Sequence, residues 1–392
     1  MKFKRIVIIV ICALLLVASA TGCTDDQELS GDVPSPEAPA TNGGSDTPDP
    51  GGTHNHHEHR IDYDEAFKAF EPDTVMLNTG GLAVTWAELF LYIRRNLNET
   101  YMYFGEILDW SEVDHNNNSF ADYILYNAVE DILDIKLIEY GAALHGVTLG
   151  EEAAQIVSDT FSGIAEMYGG EEAFLKKIWE DDGCWSAELM MSTLSIDFLT
   201  EALMHELFGK DGEHISEDDL VDFSTYLGFV MAKHILLRVG PSDDRDAVRE
   251  RADDILRQLH DHSGTGFEEY FDELMFMYSE DTGLAMSPNG YLFQAGDMVQ
   301  AFEDAAFELN VGELSGVVES SFGYHIILRT PIDYDEIPTS GFMMNDYRVL
   351  REHVMMALFN MEFFFWRLDL EIEYTDAFRS IDMGKIFALC DC

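Results

Sequence analysis

Four histidines fall within six residues, His54, His56, His57 and His59, and imidazoles so clustered could collect Zn or Cu. They lie in a polar, Gly- and Pro-rich stretch that imposes no coordination geometry, so the cluster reads first as a solvated linker. Among the five cysteines, Cys184 can pair with Cys390 or Cys392 if they meet in space, and the sequence leaves that pairing open. The Cys390-Asp391-Cys392 ending is too sparse for a metal site. A Gly-rich phosphate loop with a following Lys is missing, as is a nucleophile elbow, so neither nucleotide use nor Ser-His-Asp hydrolysis has a motif.

The charge balance narrows the partners. With 74 Asp and Glu against 23 Lys and Arg, the formal net charge is -51, and polyanions are repelled at low salt. Nucleic acid is therefore not an expected partner. The 392 residues are 47% hydrophobic and 12% aromatic, enough for two folded units with acidic surfaces rather than a disordered chain.

Two N-terminal segments stand apart from any core. Lys2, Lys4 and Arg5 precede an apolar run from Ile6 to Ala20 and the small residues before Cys23, the layout of an export signal over 1–22. The run is short for a membrane span, which needs about 20 apolar residues. Its end is similar to a bacterial lipobox, which implies that Cys23 is lipidated and holds the chain on the outer face of the cell membrane. Residues 23–60 follow as a tether with five of the ten prolines. As a flexible coil the tether spans roughly 35 Å.

The elements that must position any chemistry come next. Strands are expected at 74–77 and 82–84, then a helix opened by the capping box of Thr85 and Glu88. Tyr126, Val129, Leu133, Leu137, Tyr140 and Leu144 mark one long helix, with others over 150–168, 186–208 and 216–226. Their Met and Phe residues read as core, although Met-rich helices could also line a groove for unfolded chains. Near Gly228 the pattern changes to a strand over 229–239, helices over 243–262 and 266–278, a strand at 291–293, a helix over 298–309, and strands at 316–319 and 323–329. A terminal amphipathic helix carries Tyr347, Leu350, Val354, Leu358, Met361, Phe365 and Leu368. Its simplest partner is the helical region before Gly228, which makes the α+β unit an insertion.

The stretch Ala232-Lys233-His234-Ile235-Leu236-Leu237 resembles the first strand of parvulin-type peptidyl-prolyl isomerases. Gly290 to Phe293, Gly296-Asp297-Met298, Phe302-Glu303-Asp304-Ala305-Ala306-Phe307, Gly312-Glu313-Leu314-Ser315 and Phe322-Gly323-Tyr324-His325-Ile326-Ile327 follow in the family's order. The surrounding helices are similar to PrsA-like foldase lipoproteins and SurA-like chaperones. The resemblance implies an α+β fold: a parvulin domain at 228–332, an antiparallel sheet with surrounding helices, set in a mostly α-helical chaperone domain built from 61–227 and 333–392. It implies His234, Asp281 and His325 as the polar catalytic set, and Met298, Phe302 and Phe293 as the apolar substrate wall. One departure stands out: the family's usual Leu aligns with Gly290 and its Gly with Tyr291.

The implied reaction is rotation about X-Pro bonds in exported polypeptides, with no metal and no cofactor. The barrier is about 18–20 kcal/mol, and lowering it requires only a site that favours the twisted amide. After the first strand the chain offers Arg238 and then Gly240-Pro241-Ser242-Asp243-Asp244, so no preference for phosphorylated or acidic flanks is expected. Two other functions compete: a non-catalytic holdase whose parvulin domain only binds chains, and an acidic metal buffer using the His54–His59 cluster and Glu217-Asp218-Asp219. A homodimer through the helical domain stays open.

Overall fold

The computed structural model describes residues 59–104, 109–113, 118–262, 264–339 and 348–391. Cys23, His54, His56, His57, Tyr347 and Cys392 lie outside them. The described residues form two compact units, one from those up to 202 and from 365 onward, the other from those between 203 and 364. The first is discontinuous in sequence, with helical segments on either side of the sheet-bearing unit.

In the first unit, β1 (His59–Ile61) pairs antiparallel with β9 (Leu389–Asp391), and a second sheet has the order β3 (Leu82–Thr85), β2 (Val75–Thr79), β8 (Ile372–Tyr374). Thr85 and Glu88 close the expected capping box, Thr85 N to Glu88 Oε2 at 2.7 Å and Glu88 N to Thr85 Oγ1 at 3.4 Å. Glu88 thereby opens α2 (Trp86–Phe104), which follows the short α1 (Tyr63–Phe67). Trp86, Leu89, Phe90 and Ile93 are fully buried among Met76, Leu77 and Phe387, so this face of α2 organises the core. The long helix α3 (Phe120–His145) buries Val129, Leu133 and Leu137, whereas Tyr126 and Leu144, at the two ends of the expected stripe, are exposed. α4 (Glu151–Met167), α5 (Glu171–Asp182) and α6 (Ala187–Phe208) complete the helical layer. Cys184 is buried and free, its thiol facing Ser186 O at 3.6 Å.

In the second unit, α7 (Glu217–Leu227) leads into a sheet of order β5 (Tyr291–Phe293), β4 (Val230–Arg238), β7 (Gly323–Thr330), β6 (Val318–Glu319), antiparallel throughout. β4 is the central strand, and every residue from Val230 to Leu237 is buried, as expected where both faces are covered. On one face Ile235 and Leu237 pack with Ile326 and Leu328 beneath α8 (Arg245–Asp261) and α9 (Phe267–Tyr278). On the other, Val230 and Ala232 meet Ile327, Phe293 and residues Phe302 and Ala306 of α10 (Gln300–Glu308).

The units divide inside α6 and inside the terminal helix α11 (Leu350–Asp369). The physical reason is packing: Leu220 of α7 and Leu350 and Val354 of α11 are buried together with Phe229, Met231 and Leu292 of the sheet unit.

Candidate active site

Strand register creates the centre of the site. His234 on β4 pairs with Ile327 of β7, and Leu236 pairs with His325, so the two imidazoles are same-face diagonal neighbours with ring centroids 5.3 Å apart. β5 covers β4 only as far as Ala232. Beyond it, the segment after α9 takes over that edge: Leu236 N donates to Ser279 Oγ at 3.1 Å, Glu280 N to Leu236 O at 2.7 Å, and Arg238 N to Glu280 Oε2 at 2.8 Å. These bonds deliver Asp281 to His234.

His234 Nε2 lies 3.0 Å from Asp281 Oδ2, His234 Nδ1 lies 3.2 Å from His325 Nδ1, and His325 Nε2 lies 2.6 Å from Ser320 Oγ. Asp281 also accepts from Tyr291 Oη at 2.6 Å on Oδ2 and from Gly283 N at 3.0 Å on Oδ1. An ionised carboxylate only accepts, so His234 donates from Nε2. With one proton on the His234 ring, its Nδ1 accepts from His325 Nδ1–H, and His325 Nε2 accepts from the Ser320 hydroxyl. The chain Ser320 to His325 to His234 to Asp281 has one consistent direction. Among the described residues with a buried, unpartnered side-chain atom, none belongs to it.

Burial, with the neighbouring His234, pulls the His325 imidazole down to about 4, so it is neutral at pH 7. The His234 hydrogen bond, against burial and with help from Tyr291 and Gly283 N, holds the Asp281 carboxyl well below the usual carboxylate range. Burial, then the Asp281 carboxylate, raises the Tyr291 phenol.

The apolar wall divides into a lining and a backing. Phe302 sets its ring edge-to-face against both imidazoles, with centroids at 5.1 Å from His234 and 5.6 Å from His325. Met298 is half-buried on the same cluster, and its backbone N donates to Glu303 Oε1 at 2.7 Å, beside Gly296 N at 2.8 Å. Phe293 departs from the sequence expectation. It is 0% exposed, behind Phe302 with centroids 5.6 Å apart, and supports the wall without a surface to offer substrate. Gly290 accounts for part of the altered rim: its φ is +106°, and a Cβ there would stand 2.7 Å from Ala232 O, so the close approach to β4 excludes Leu.

Residues 234–330 match the rotamase family, the PPIC-type PPIASE domain. This segment is a parvulin-type domain. A Drosophila melanogaster protein named as a peptidyl-prolyl cis-trans isomerase, dodo, is 41% identical over 93 residues, 23% of this chain and 55% of that one. Foldase protein PrsA 1 of Bacillus cereus is 49% identical over 73 residues, 17% and 25% of the two chains. The chain thus spans about half the length of the first and a quarter of the second. Foldase protein PrsA of Caldanaerobacter subterraneus is 25% identical over 269 residues, 67% of this chain and 75% of that one, so the likeness to PrsA foldases extends beyond the parvulin-type segment. Among solved structures, a Bacillus cereus PrsA aligns at a TM-score of 0.29 and 21% identity, covering 71% of this chain and 98% of that one.

The structure brings together five of the six site residues expected within the sheet unit, with Phe293 one layer behind. Two members of the polar network were absent from the sequence reading. Ser320 sits five residues before His325 across the β6–β7 turn, and that spacing was its only signal. Tyr291 was visible as the residue in place of the expected Gly, but nothing local marked its phenol as a partner of Asp281.

Proposed function

We propose that the chain is an extracytoplasmic foldase that catalyses cis/trans isomerisation of X-Pro bonds in unfolded, newly exported polypeptides. The observation that carries this reading is the hydrogen-bonded Ser320–His325–His234–Asp281 chain, its two histidines buried and Phe302 against both imidazoles, inside a rotamase-family sheet. Such a site offers a fixed polar floor beside an apolar wall. Met298 and Phe302 hold the prolyl ring, and the two imidazoles with Asp281 bias charge around the twisting amide. Acceleration by about 10⁴ requires about 5.4 kcal/mol of differential binding, within reach of several such contacts.

The helical unit is proposed to hold client chains. Met102 and Tyr103 at the end of α2 are 85% and 81% exposed, adaptable apolar surface of the kind an irregular chain can engage. The lipobox-like ending at Cys23 and the tether to residue 60 support a lipid anchor on the outer face of the membrane. Among the described residues no helix is long and apolar enough to cross a membrane.

The test is refolding of a substrate protein limited by one cis prolyl bond, a phase of about 10–100 s when uncatalysed. The full chain is expected to shorten that phase catalytically, and Met298→Ala to do so about tenfold less well. Stoichiometric suppression of aggregation with no change in the slow phase would favour the holdase instead. A Cys23→Ser chain that stays with the membrane fraction would refute the anchor.

A further inference from the structure

Tyr291 occupies the position where the parvulin resemblance leads to glycine, and its phenol ends on the site's carboxylate. Oη lies 2.6 Å from Asp281 Oδ2, the same oxygen that faces His234 Nε2 at 3.0 Å, while Oδ1 is held by Gly283 N at 3.0 Å. The ring also stands edge-to-face on His234, with centroids 5.6 Å apart at 74°. Room for the hydroxyl depends on one missing side chain: a Cβ on Gly283 would lie 2.1 Å from it and 3.3 Å from the ring carbon that bears it. The unusual Tyr and the Gly opposite it are thus a matched pair.

We infer that Tyr291 is a positioning residue that locks the Asp281 carboxylate and, through it, the proton arrangement of both histidines, with Gly283 as the companion that admits the phenol. The inference rests on the reading of this site as a prolyl isomerase. An O–H donor to a carboxylate at this distance is a strong, charge-assisted bond. With Tyr291 and His234 on one oxygen and Gly283 N on the other, the carboxylate cannot rotate without losing a partner. A fixed acceptor keeps the proton on His234 Nε2, which leaves Nδ1 as the acceptor for His325 Nδ1–H and leaves His325 Nε2 to accept from Ser320. Without the phenol, Asp281 can turn away from Nε2. The two-histidine chain then has a second proton arrangement of similar energy, and the polar floor loses its single direction.

The experiment combines imidazole ¹⁵N chemical shifts with prolyl exchange in a proline tetrapeptide, using the full chain, Tyr291→Phe, Gly283→Ala and the double variant. The parent is expected to show single tautomers, Nε2–H at His234 and Nδ1–H at His325. Tyr291→Phe is expected to show averaged shifts at both rings and a kcat/KM about tenfold lower, the low end for a hydrogen bond to a charged group. Gly283→Ala, which crowds the hydroxyl from the other side, is expected to give the same signature in the parent and no further loss in the Tyr291→Phe background. Parent-like shifts in Tyr291→Phe, or losses from the two substitutions that simply add, would overturn the inference. A parent that fails to accelerate exchange would overturn the isomerase reading alone, because the shifts and the cycle in tautomer population still decide the role of Tyr291.

Discussion

Both units bury ionisable side chains, and the contrast between them separates a structural charge from a working one. In the helical unit Lys136 sits with Glu88 and Glu139, each 3.0 Å from Nζ. Burial pulls its amine down, but the two carboxylates more than offset that and leave it above the ordinary lysine value. Two fixed acids around one cation leave one stable protonation state. In the sheet unit, His234 and His325 share a proton between like groups, with an acid at one end and a hydroxyl at the other. That arrangement is held in one state only by its surroundings, and it adjoins an apolar wall. Burial of a cation between fixed acids builds a fold; burial of a directional hydrogen-bonded chain beside an apolar wall builds a site.

The contrast breaks most sharply by truncation. His234→Ala and His325→Ala are each expected to lower kcat/KM on the order of a hundredfold, since each leaves buried network partners unpaired. Lys136→Met, by contrast, is expected to leave kcat/KM unchanged. Catalysis on proline tetrapeptides checks both, and a Lys136→Met chain that lost activity while folded would erase the distinction.

Acid sharpens it. The His325 imidazole is lowered to about 4 in the folded chain against 6.5 when unfolded, so the unfolded state binds more protons between those values. Stability of the sheet unit is therefore complete above pH 6.5 and falls as pH drops toward 4, by about 3 kcal/mol at most. The lowered Asp281 carboxyl adds a second loss only below its unfolded value of 3.8. Denaturant unfolding followed by a probe in the sheet unit should show the first loss in the parent and a much smaller one in His325→Gln.

Lys136→Met should cost the helical unit about 1–3 kcal/mol in denaturant unfolding, because Glu88 and Glu139 lose their cation while keeping partial access to water. The smallest effect concerns selectivity. Arg245 pairs with Glu319, and Arg251 lies 3.7 Å from Glu280, so the cations following β4 are already engaged by acids. Phosphorylating the residue before proline should leave kcat/KM within about twofold or lower it; a tenfold gain would show that these arginines serve substrate.

The two units also differed in how much the sequence disclosed. The sheet unit was legible nearly to the residue, because β4, α8, α9 and α10 carry continuous local patterns and the family's ordered motifs fall on β4, β5, α10 and β7. Phe293 was placed on the right strand but not at its depth, since period-two alternation does not say which layer of a wall a side chain joins. In the helical unit Thr85 and Glu88 announced α2, whereas α5 went unread: among its many acids only Phe174 and Ile178 are buried, too few for a stripe. β8 and β9 were equally silent. They are three residues long, and their partners lie about 300 residues away or more, as with Leu77 opposite Tyr374 and Ile61 opposite Leu389, so no local pattern encodes the pairing.

The central claim is that two buried histidines make this sheet an isomerase. It is tested most directly by exchange spectroscopy of cis/trans interconversion in tetrapeptides with varied residues before proline, using the full chain beside His234→Ala and His325→Ala, with near-UV circular dichroism to verify folding. The account predicts acceleration by the parent for every peptide and its collapse in both folded variants. Acceleration that survived in a folded double variant, or none from a folded parent, would contradict it.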